Sequence, residues 1–317
     1  MLAVVSQALA SLPSAGVVIP TYNRLADLQV VLRALTRQRT SVAAPVEIVV
    51  VDDGSTDGTS EWLDRHGADM GLTCIRQANA GPARARNEGA AASRAEVILF
   101  LGDDTEPQPG WLAEHLEAHR LSAAVPTAVL GYTCFPADRD SPFLRWINEH
   151  GAQFGYALID RPLEVPFNFF YTSNVSLPRQ LFVSLGGFRE DFPAAAWEDI
   201  EFAYRAVAAG LRLRYLPRAR TIHRHRIRVG SFCRRQRTSG RSAAIFAGLH
   251  PELEAFLGVP CVGRVSRWER LLRLPLRAWV AAGEAAHGLA GDRVYRRLMD
   301  SCYLEGLAES LRGVRRG

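Results

Sequence analysis

The chain contains no lysine: all 38 of its basic side chains are arginine, set against 33 aspartates and glutamates. With arginine as the sole cation, its density carries no extra weight as a sign of phosphate recognition. Long apolar runs are also missing. No stretch of about 18 uncharged apolar residues occurs, so no membrane-spanning helix is expected. The five cysteines (Cys74, Cys134, Cys233, Cys261, Cys302) are scattered, with no CxxC pair and no Cys/His spacing suited to zinc. They read as thiols of a reducing compartment. There is no GxGxxG turn and no P-loop, which disfavours a dinucleotide-dependent dehydrogenase and a nucleotidyltransferase. Met1–Ala15 is mildly apolar, lacks a basic leader and is short for a signal peptide, so a frayed start is expected. What remains is a 317-residue chain without repeats, long enough for one large domain or one domain plus an appendage.

Its charge is unevenly spread. Residues 1–204 hold 25 acidic side chains against 15 arginines, and residues 205–317 hold 8 against 23. The acidic first part suits a cation site. The basic second part suits an anionic partner such as a diphosphate, an anionic lipid surface or a nucleic acid. Its aromatics do not interleave with the arginines in a nucleic-acid-binding pattern, so no nucleic-acid partner is expected.

Short apolar runs alternate with helical periodicity through the first hundred residues. Gly16–Pro20, Val46–Val51, Leu72–Arg76 and Val97–Leu101 read as strands, the first, second and last of them buried. Leu25, Leu28, Val31, Leu32 and Leu35 recur at helical spacing after Asn23, which is placed to cap them. Pro82 opens a helix running to about Ser93. Continuous apolar strands between helices imply an α/β fold with a mostly parallel sheet covered on both faces. Ligands of such sheets bind beyond the C-terminal strand ends. Three polar clusters, Thr21–Asn23, Asp52–Asp53 and Asp103–Asp104, all fall there. Further on, Thr172–Leu177 alternates like a strand and Gly186-Gly187-Phe188 reads as a turn. A helix starting near Trp197 directs Ile200, Phe202, Ala203, Ala206 and Val207 inward. From about Ser231 the pattern is helical, interrupted near Pro251, Pro260 and Pro275.

Taken singly, each cluster has two readings. Asp103 and Asp104 repel each other, and their hard oxygens suit Mg²⁺ or Mn²⁺; alternatively they form a solvated turn before a helix near Trp111. Asp52 and Asp53 lie in turn chemistry, where a carboxylate can accept from a base N–H or a ribose hydroxyl. Glu198 and Asp199 either answer a helix macrodipole or supply a general base. His223 and His225, if on a strand, share one face, opposite Arg224 and Arg226. One histidine could then ligate a metal while the other supports it or binds acceptor.

Together the clusters resemble glycosyltransferase family 2. The resemblance is carried by Val17-Val18-Ile19-Pro20-Thr21-Tyr22-Asn23, Val49-Val50-Val51-Asp52-Asp53-Gly54-Ser55-Thr56-Asp57, Gly81-Pro82-Ala83-Arg84-Ala85-Arg86-Asn87-Glu88-Gly89 and Phe100-Leu101-Gly102-Asp103-Asp104. It continues through Gly186-Gly187-Phe188, Trp197-Glu198-Asp199 and His223–Arg226, covering roughly residues 16–241. It implies a GT-A fold: a Rossmann-like, mixed and mostly parallel sheet flanked by helices. The domain would span 1–230, with a nucleotide-binding half at 16–105 and an acceptor half at 106–230, followed by a helical extension at 231–317.

Carried over residue by residue, the resemblance puts Pro20, Thr21 and Tyr22, with Asn23 beside them, at the nucleotide base. Asp52 and Asp53 hold base and ribose, Arg84 lies near the diphosphate, and Asn87 belongs with the residues that bind the nucleotide sugar. Asp104 is the metal ligand of a DxD motif, with Asp103 on ribose or metal and His223 as a further ligand. Gly102 stands where that motif usually begins with Asp. Asp199 is the expected base, with Glu198 the second choice. Trp197, Asn174 and His225 take acceptor or accessory roles, with His225 the alternative to His223 as metal ligand. The implied activity is inverting transfer from a nucleoside-diphosphate sugar to a hydroxyl of a polysaccharide, glycolipid or lipid-linked saccharide, in cell-envelope polysaccharide synthesis. A non-catalytic nucleotide-sugar-binding scaffold is the alternative. The expected location is cytoplasmic, with peripheral attachment at the inner membrane face as an option. For that attachment, Trp268, Leu271, Leu272, Leu274, Leu276, Trp279 and Val280 alternate with Arg267, Arg270, Arg273 and Arg277, as on an interfacial helix; packing on the chain's own domain is the favoured reading of that segment.

Overall fold

The computed structural model describes residues 11–139, 141–151, 153–192, 194, 196–264, 278 and 291–314. The Trp268–Val280 pattern and Pro275 lie outside the described residues, as do Met1–Ala10. In chain order the elements are β1 (Ala15–Thr21), α1 (Leu25–Arg39), β2 (Val46–Asp52), α2 (Thr59–His66), β3 (Thr73–Arg76), α3 (Pro82–Ala92), β4 (Val97–Leu101) and β5 (Thr105–Pro107). Then follow α4 (Trp111–Leu121), β6 (Thr127–Cys134), α5 (Pro142–Glu149), β7 (Asn174–Pro178), α6 (Arg179–Ser184), α7 (Glu198–Ala208), β8 (Arg212–His223), α8 (Val229–Leu249) and α9 (Asp292–Val314). The chain divides into two compact units: residues 1–136, 159–190 and 198–225, and residues 137–158, 191–197 and 226–317.

The first unit is built on one eight-stranded sheet of order β3-β2-β1-β4-β7-β6-β8-β5. β3, β2, β1 and β4 run parallel, as do β6 and β8; β7 runs against β4 and β6, and β5 against β8. This is the α/β, mixed and mostly parallel sheet expected. Val17, Val18, Ile19, Val50, Val51 and Leu99 are fully buried, because helices cover both faces. Gly89 lets α3 approach: a Cβ there would collide with Val18 Cγ1 on β1. Phe100, Phe182, Phe188 and Phe202 form a ring cluster with centroids 4.9–5.3 Å apart, joining β4, α6 and α7.

Four local expectations change. Asn23 does not cap α1; its φ is +53° and its side chain turns to another loop. Asp57 caps instead, accepting from Leu25 N at 3.0 Å. Although burial opposes it, hydrogen bonds from Leu25 N and Thr59 hold the Asp57 carboxyl below its ordinary range. Ala15 is not frayed but opens β1, fully buried. Val207 is exposed, because α7 turns its inward face through Phe202, Ala203 and Ala206. The Arg212–His223 segment is one twelve-residue strand, whose register with β6 shifts between Gly131 and Tyr132. It ends at His223, so His225 lies beyond it.

The second unit is helical. Ser141 caps α5, its hydroxyl accepting from Leu144 N at 3.2 Å, a bond worth about 1 kcal/mol. Phe143 and Trp146 of α5 pack on Tyr295 of α9, and Phe143 on Phe232 of α8. α8 and α9 cross through two glycines. A Cβ at Gly240 would fall on the Tyr303 carbonyl oxygen, and one at Gly306 on the Arg237 carbonyl oxygen. Glu309 clamps the crossing by accepting from Arg237 and Arg241. Gly306→Leu should therefore cost roughly 3 kcal/mol, the upper end for overpacking, despite the better helix propensity of leucine. Gly248, also in α8, has open space around it, and Gly248→Ala should gain up to about 1 kcal/mol. Urea unfolding followed by circular dichroism reads both; an unshifted midpoint for Gly306→Leu would rule out the close crossing.

Candidate active site

The parallel strands set where the polar side chains go. Thr21 at the end of β1 faces Asp52 at the end of β2, and β4 runs parallel beside β1 and ends at Leu101. The loops after these strands are tied together: Asp53 N donates to Thr21 O at 2.9 Å, and Thr21 Oγ1 donates to Asp103 Oδ2 at 2.9 Å. The three sequence clusters thus meet on one sheet edge.

Within that edge, Asp52 and Asp53 are buried and shape loops. Asp52 accepts from Ser55 N and from the Ser60 hydroxyl. Asp53 accepts from Gln77 Nε2, Ala80 N and Gly81 N at 2.6–2.9 Å, fixing the turn that starts α3. Asn23 staples the two loops: its Oδ1 accepts from Thr56 N at 2.7 Å and its N donates to Ser55 Oγ at 2.9 Å. Pro20 is half-buried and Tyr22 is 47% exposed, leaving its ring open at the edge. On α3, Arg84 is exposed and lies 4.0 Å from Glu88. Asn87 instead turns to the Gly186-Gly187-Phe188 turn, donating to Phe188 O at 2.8 Å and accepting from Phe188 N at 2.9 Å. Gly187 is required there, with φ +68° and only 2.6 Å between a would-be Cβ and Asn87 Oδ1.

Asp103 and Asp104 follow β4. Burial, and then the neighbouring Asp104 charge, push the Asp103 carboxyl up to about 7. Asp104 goes the other way: burial opposes ionisation, but the positive potential of His223 and Arg24 holds it below the usual carboxylate range. Arg24 is ion-paired with Asp104 and lies 3.8 Å from Asp103, a contact sequence reasoning missed. The signal was present, a lone arginine directly after the Thr21–Asn23 cluster. β5 pairs with β8 so that Thr105 faces His223, placing the His223 Nε2 3.9 Å from Asp104 Oδ1. Arg224 N donates to Asp104 O at 2.7 Å. His223 is buried against Phe135, whereas His225 is exposed. At Gly102 a Cβ would come within 2.6 Å of Thr105 Oγ1, so a larger residue there would require the Thr105 side chain to shift.

The second carboxylate pair opens α7. Asp199 is partly exposed; its Oδ2 accepts from Thr172 N and Oγ1 at 3.3 Å, and its Oδ1 from Ile200 N at 2.9 Å. Burial raises its pKa. Gly102 N donates to Ser173 O, so a single backbone contact links the Thr172–Ser173 segment holding Asp199 to the Asp103–Asp104 turn. Glu198 is 2% exposed and ion-paired with Arg86 at 2.9 Å. Burial, then the Asp199 charge, push it up to about 7. Trp197 belongs to the helical unit, with φ +75°; its indole donates to Ser239 O and packs on Phe246, Phe256 and Tyr303. Asn174 is fully interior. Its amide donates to Ala219 O, and its oxygen accepts from Trp111 Nε1 at 2.7 Å and lies 3.0 Å from His115 Nε2.

Among the described residues, no group of three or more His, Cys, Asp or Glu side chains is arranged to hold a metal ion. Asp103 and His223 nevertheless flank Asp104, two carboxylates and one imidazole in all, a donor chemistry suited to Mg²⁺ or Mn²⁺, and Arg24 already answers the demand for positive charge.

This fold, with its strand-end carboxylates, is that of the GT-A glycosyltransferases. The profile of glycosyl transferase family 2 matches residues 16–182, more than half of the chain, and the chain belongs to that family. It is 32% identical over 225 residues to the validoxylamine A glucosyltransferase of Streptomyces hygroscopicus subsp. jinggangensis (strain 5008), covering 63% of this chain and 52% of that protein. It is 29% identical over 303 residues to the pre-mycofactocin glycosyltransferase of Mycobacterium tuberculosis (strain ATCC 25618 / H37Rv), covering 94% of this chain and 61% of that protein. The chain thus spans between half and two thirds of the length of these curated relatives. Among solved structures, the mannosyltransferase PcManGT of Pyrobaculum calidifontis in complex with GDP-Man and Mn²⁺ superposes with a TM-score of 0.60 at 20% identity, covering 98% of this chain and 93% of that one.

Proposed function

We propose that the chain moves a sugar from a nucleoside-diphosphate donor to a hydroxyl acceptor, with inversion at the anomeric carbon and with Mg²⁺ or Mn²⁺ as cofactor. One observation carries the reading: Asp199, partly exposed at the start of α7, is held by Thr172 and stands one backbone contact from the Asp103–Asp104 turn. A donor lying on the strand-end edge would present its anomeric carbon toward such a carboxylate. Asp199 takes the proton of the acceptor hydroxyl as that oxygen attacks from the face opposite the diphosphate. One base and no second nucleophile make a single displacement, hence inversion. Burial makes Asp199 a stronger proton acceptor than an ordinary aspartate. Asp104, Asp103 and His223 would hold the cation, and its chemistry is to neutralise charge on the departing diphosphate.

Tyr22 offers a ring face to the nucleotide base, and Arg84, exposed on α3, a cation to the diphosphate. The acceptor in this reading is a saccharide, free or lipid-linked, in cell-envelope synthesis. The arginine-rich second part, with 23 arginines against 8 acidic residues, supports peripheral placement on the cytoplasmic face of an anionic membrane. No helix among the described residues is long and apolar enough to cross one.

A thermal-shift panel of UDP-, GDP- and dTDP-sugars, each with and without Mn²⁺ or Mg²⁺, tests the reading. One nucleotide class should stabilise the protein only with metal, by about 2.7 kcal/mol at a hundred times its Kd. Stabilisation without turnover on any saccharide acceptor would favour a binding scaffold. No stabilisation by any donor would count against the reading itself.

A further inference from the structure

Arg24 stands at the N-cap position of α1, where its side chain makes no capping bond. Short polar residues that accept from the first helical N–H groups are favoured there, and a cation meets the positive end of the helix dipole. The helix therefore does not explain the residue. Nor does Arg24 hold α1 in place. Asp57 caps Leu25 N, and Asp27, one turn along α1, lies 3.8 Å from Arg224 Nε, whose Nη1 donates to Glu106 of β5 at 2.9 Å. The Arg24 guanidinium turns instead to the turn after β4. It is ion-paired with Asp104 and lies 3.8 Å from Asp103, with no other side-chain partner among the described residues. The two carboxylate side chains are 13% and 12% exposed against 33% for Arg24, so the guanidinium is the member of the cluster that solvent reaches most.

We propose that Arg24 is a resident cation of the Asp103–Asp104 turn, which must leave Asp104 before Mg²⁺ or Mn²⁺ can bind there. The inference rests on Asp104 being the metal ligand of the reading above. Two adjacent carboxylates repel, and the guanidinium keeps them together while no metal is bound. It does so at the expense of metal affinity. The Asp104 oxygen that accepts from Arg24 is withheld from a metal, and a fixed positive charge beside it repels a divalent cation. Arginine suits the role, because it stays charged at every working pH and is more weakly hydrated than an ammonium. Its removal should therefore destabilise the metal-free chain and tighten metal binding.

The test is Mn²⁺ binding to the full chain without nucleotide, read from the electron paramagnetic resonance signal of free Mn²⁺. Arg24→Gln should bind Mn²⁺ at least about 10-fold more tightly than the parent. Asp104→Asn in the same background should remove that gain. Arg24→Lys, which keeps the charge but not the fork, should fall between parent and Arg24→Gln. Thermal unfolding gives a second readout. Arg24→Gln should melt below the parent without metal, and saturating Mn²⁺ should close the gap, whereas a purely structural role predicts the same gap in both conditions. Equal or weaker Mn²⁺ binding in Arg24→Gln, no binding by any variant, or a gain that survives Asp104→Asn overturns the proposal. If Arg24→Gln does not fold, the affinity of Arg24→Lys relative to the parent decides alone. Mn²⁺ binding needs no turnover. A tightened Arg24→Gln from a chain that transfers no sugar would refute the functional reading and leave this inference standing, and metal-dependent transfer with unchanged Mn²⁺ affinity would do the reverse.

Discussion

Asp199→Asn is expected to lower kcat/KM for sugar transfer by at least about 100-fold while leaving donor binding intact. General-base catalysis typically contributes 10²–10⁴-fold, and asparagine cannot take a proton at neutral pH. The substitution is otherwise mild. Its side-chain oxygen can still accept from Ile200 N or from Thr172, and the donor-side residues Thr21, Asp52, Asp53 and Asp103 are held by their own loop contacts. A nucleotide thermal shift equal to the parent's, with transfer lost, is the expected pair of results. Retained transfer would remove Asp199 from the base role. The pH profile carries a matching expectation. Asp199 is raised above the usual aspartate value by burial, so kcat/KM should fall on acidification through a value above 3.8.

The second large effect concerns stability. His115 and His119 of α4 are buried and share the Ser176 hydroxyl at 2.8 Å, while His115 also reaches Asn174. Burial pushes His115 down to about 4, against the hydrogen bond with Asn174; burial and then His115 push His119 down to about 3. Both folded values lie below the unfolded value near 6.5, so the unfolded chain takes up protons that the native chain refuses. The stability is full above pH 6.5 and is lost as pH falls toward 4 and 3. Between pH 7.5 and pH 4.5 each histidine should cost about 2 to 3 kcal/mol. Carboxylates titrate over the same range, so the comparison is with His115→Gln/His119→Gln, whose pH slope should be shallower by roughly the sum. Urea unfolding at the two pH values measures it, and equal slopes would refute neutral burial of the pair.

Much of this architecture was legible in residue order. Short continuous apolar runs such as Val97–Leu101, bounded by turn residues and alternating with helical periodicity, read as strands covered on both faces, and such strands run parallel. Since parallel strands bring like ends together, Thr21, Asp52 and Asp103 had to share an edge, and they do. Contacts between groups distant in sequence were not legible. Nothing local tells that Asp57, not Asn23, caps α1, or that Arg24 pairs with Asp104, because each bond depends on how two loops after different strands meet. The alternation of His223 and His225 suggested a shared strand face, but periodicity does not say where a strand stops, and β8 stops at His223.

Hydrophobic periodicity and short motifs act over a few residues, and so the α/β class, the family and the edge on which the carboxylates gather could be read from residue order. Which of those side chains face solvent and which are spent on the fold was set by tertiary packing. It made Asn174 an interior hydrogen-bonding hub, set Asp52 and Asp53 to pinning loops, buried Glu198 against Arg86 and left Asp199 reachable. Burial and charge pairing are properties of surroundings assembled from distant segments, and they set the adjacent carboxylates Glu198 and Asp199 apart.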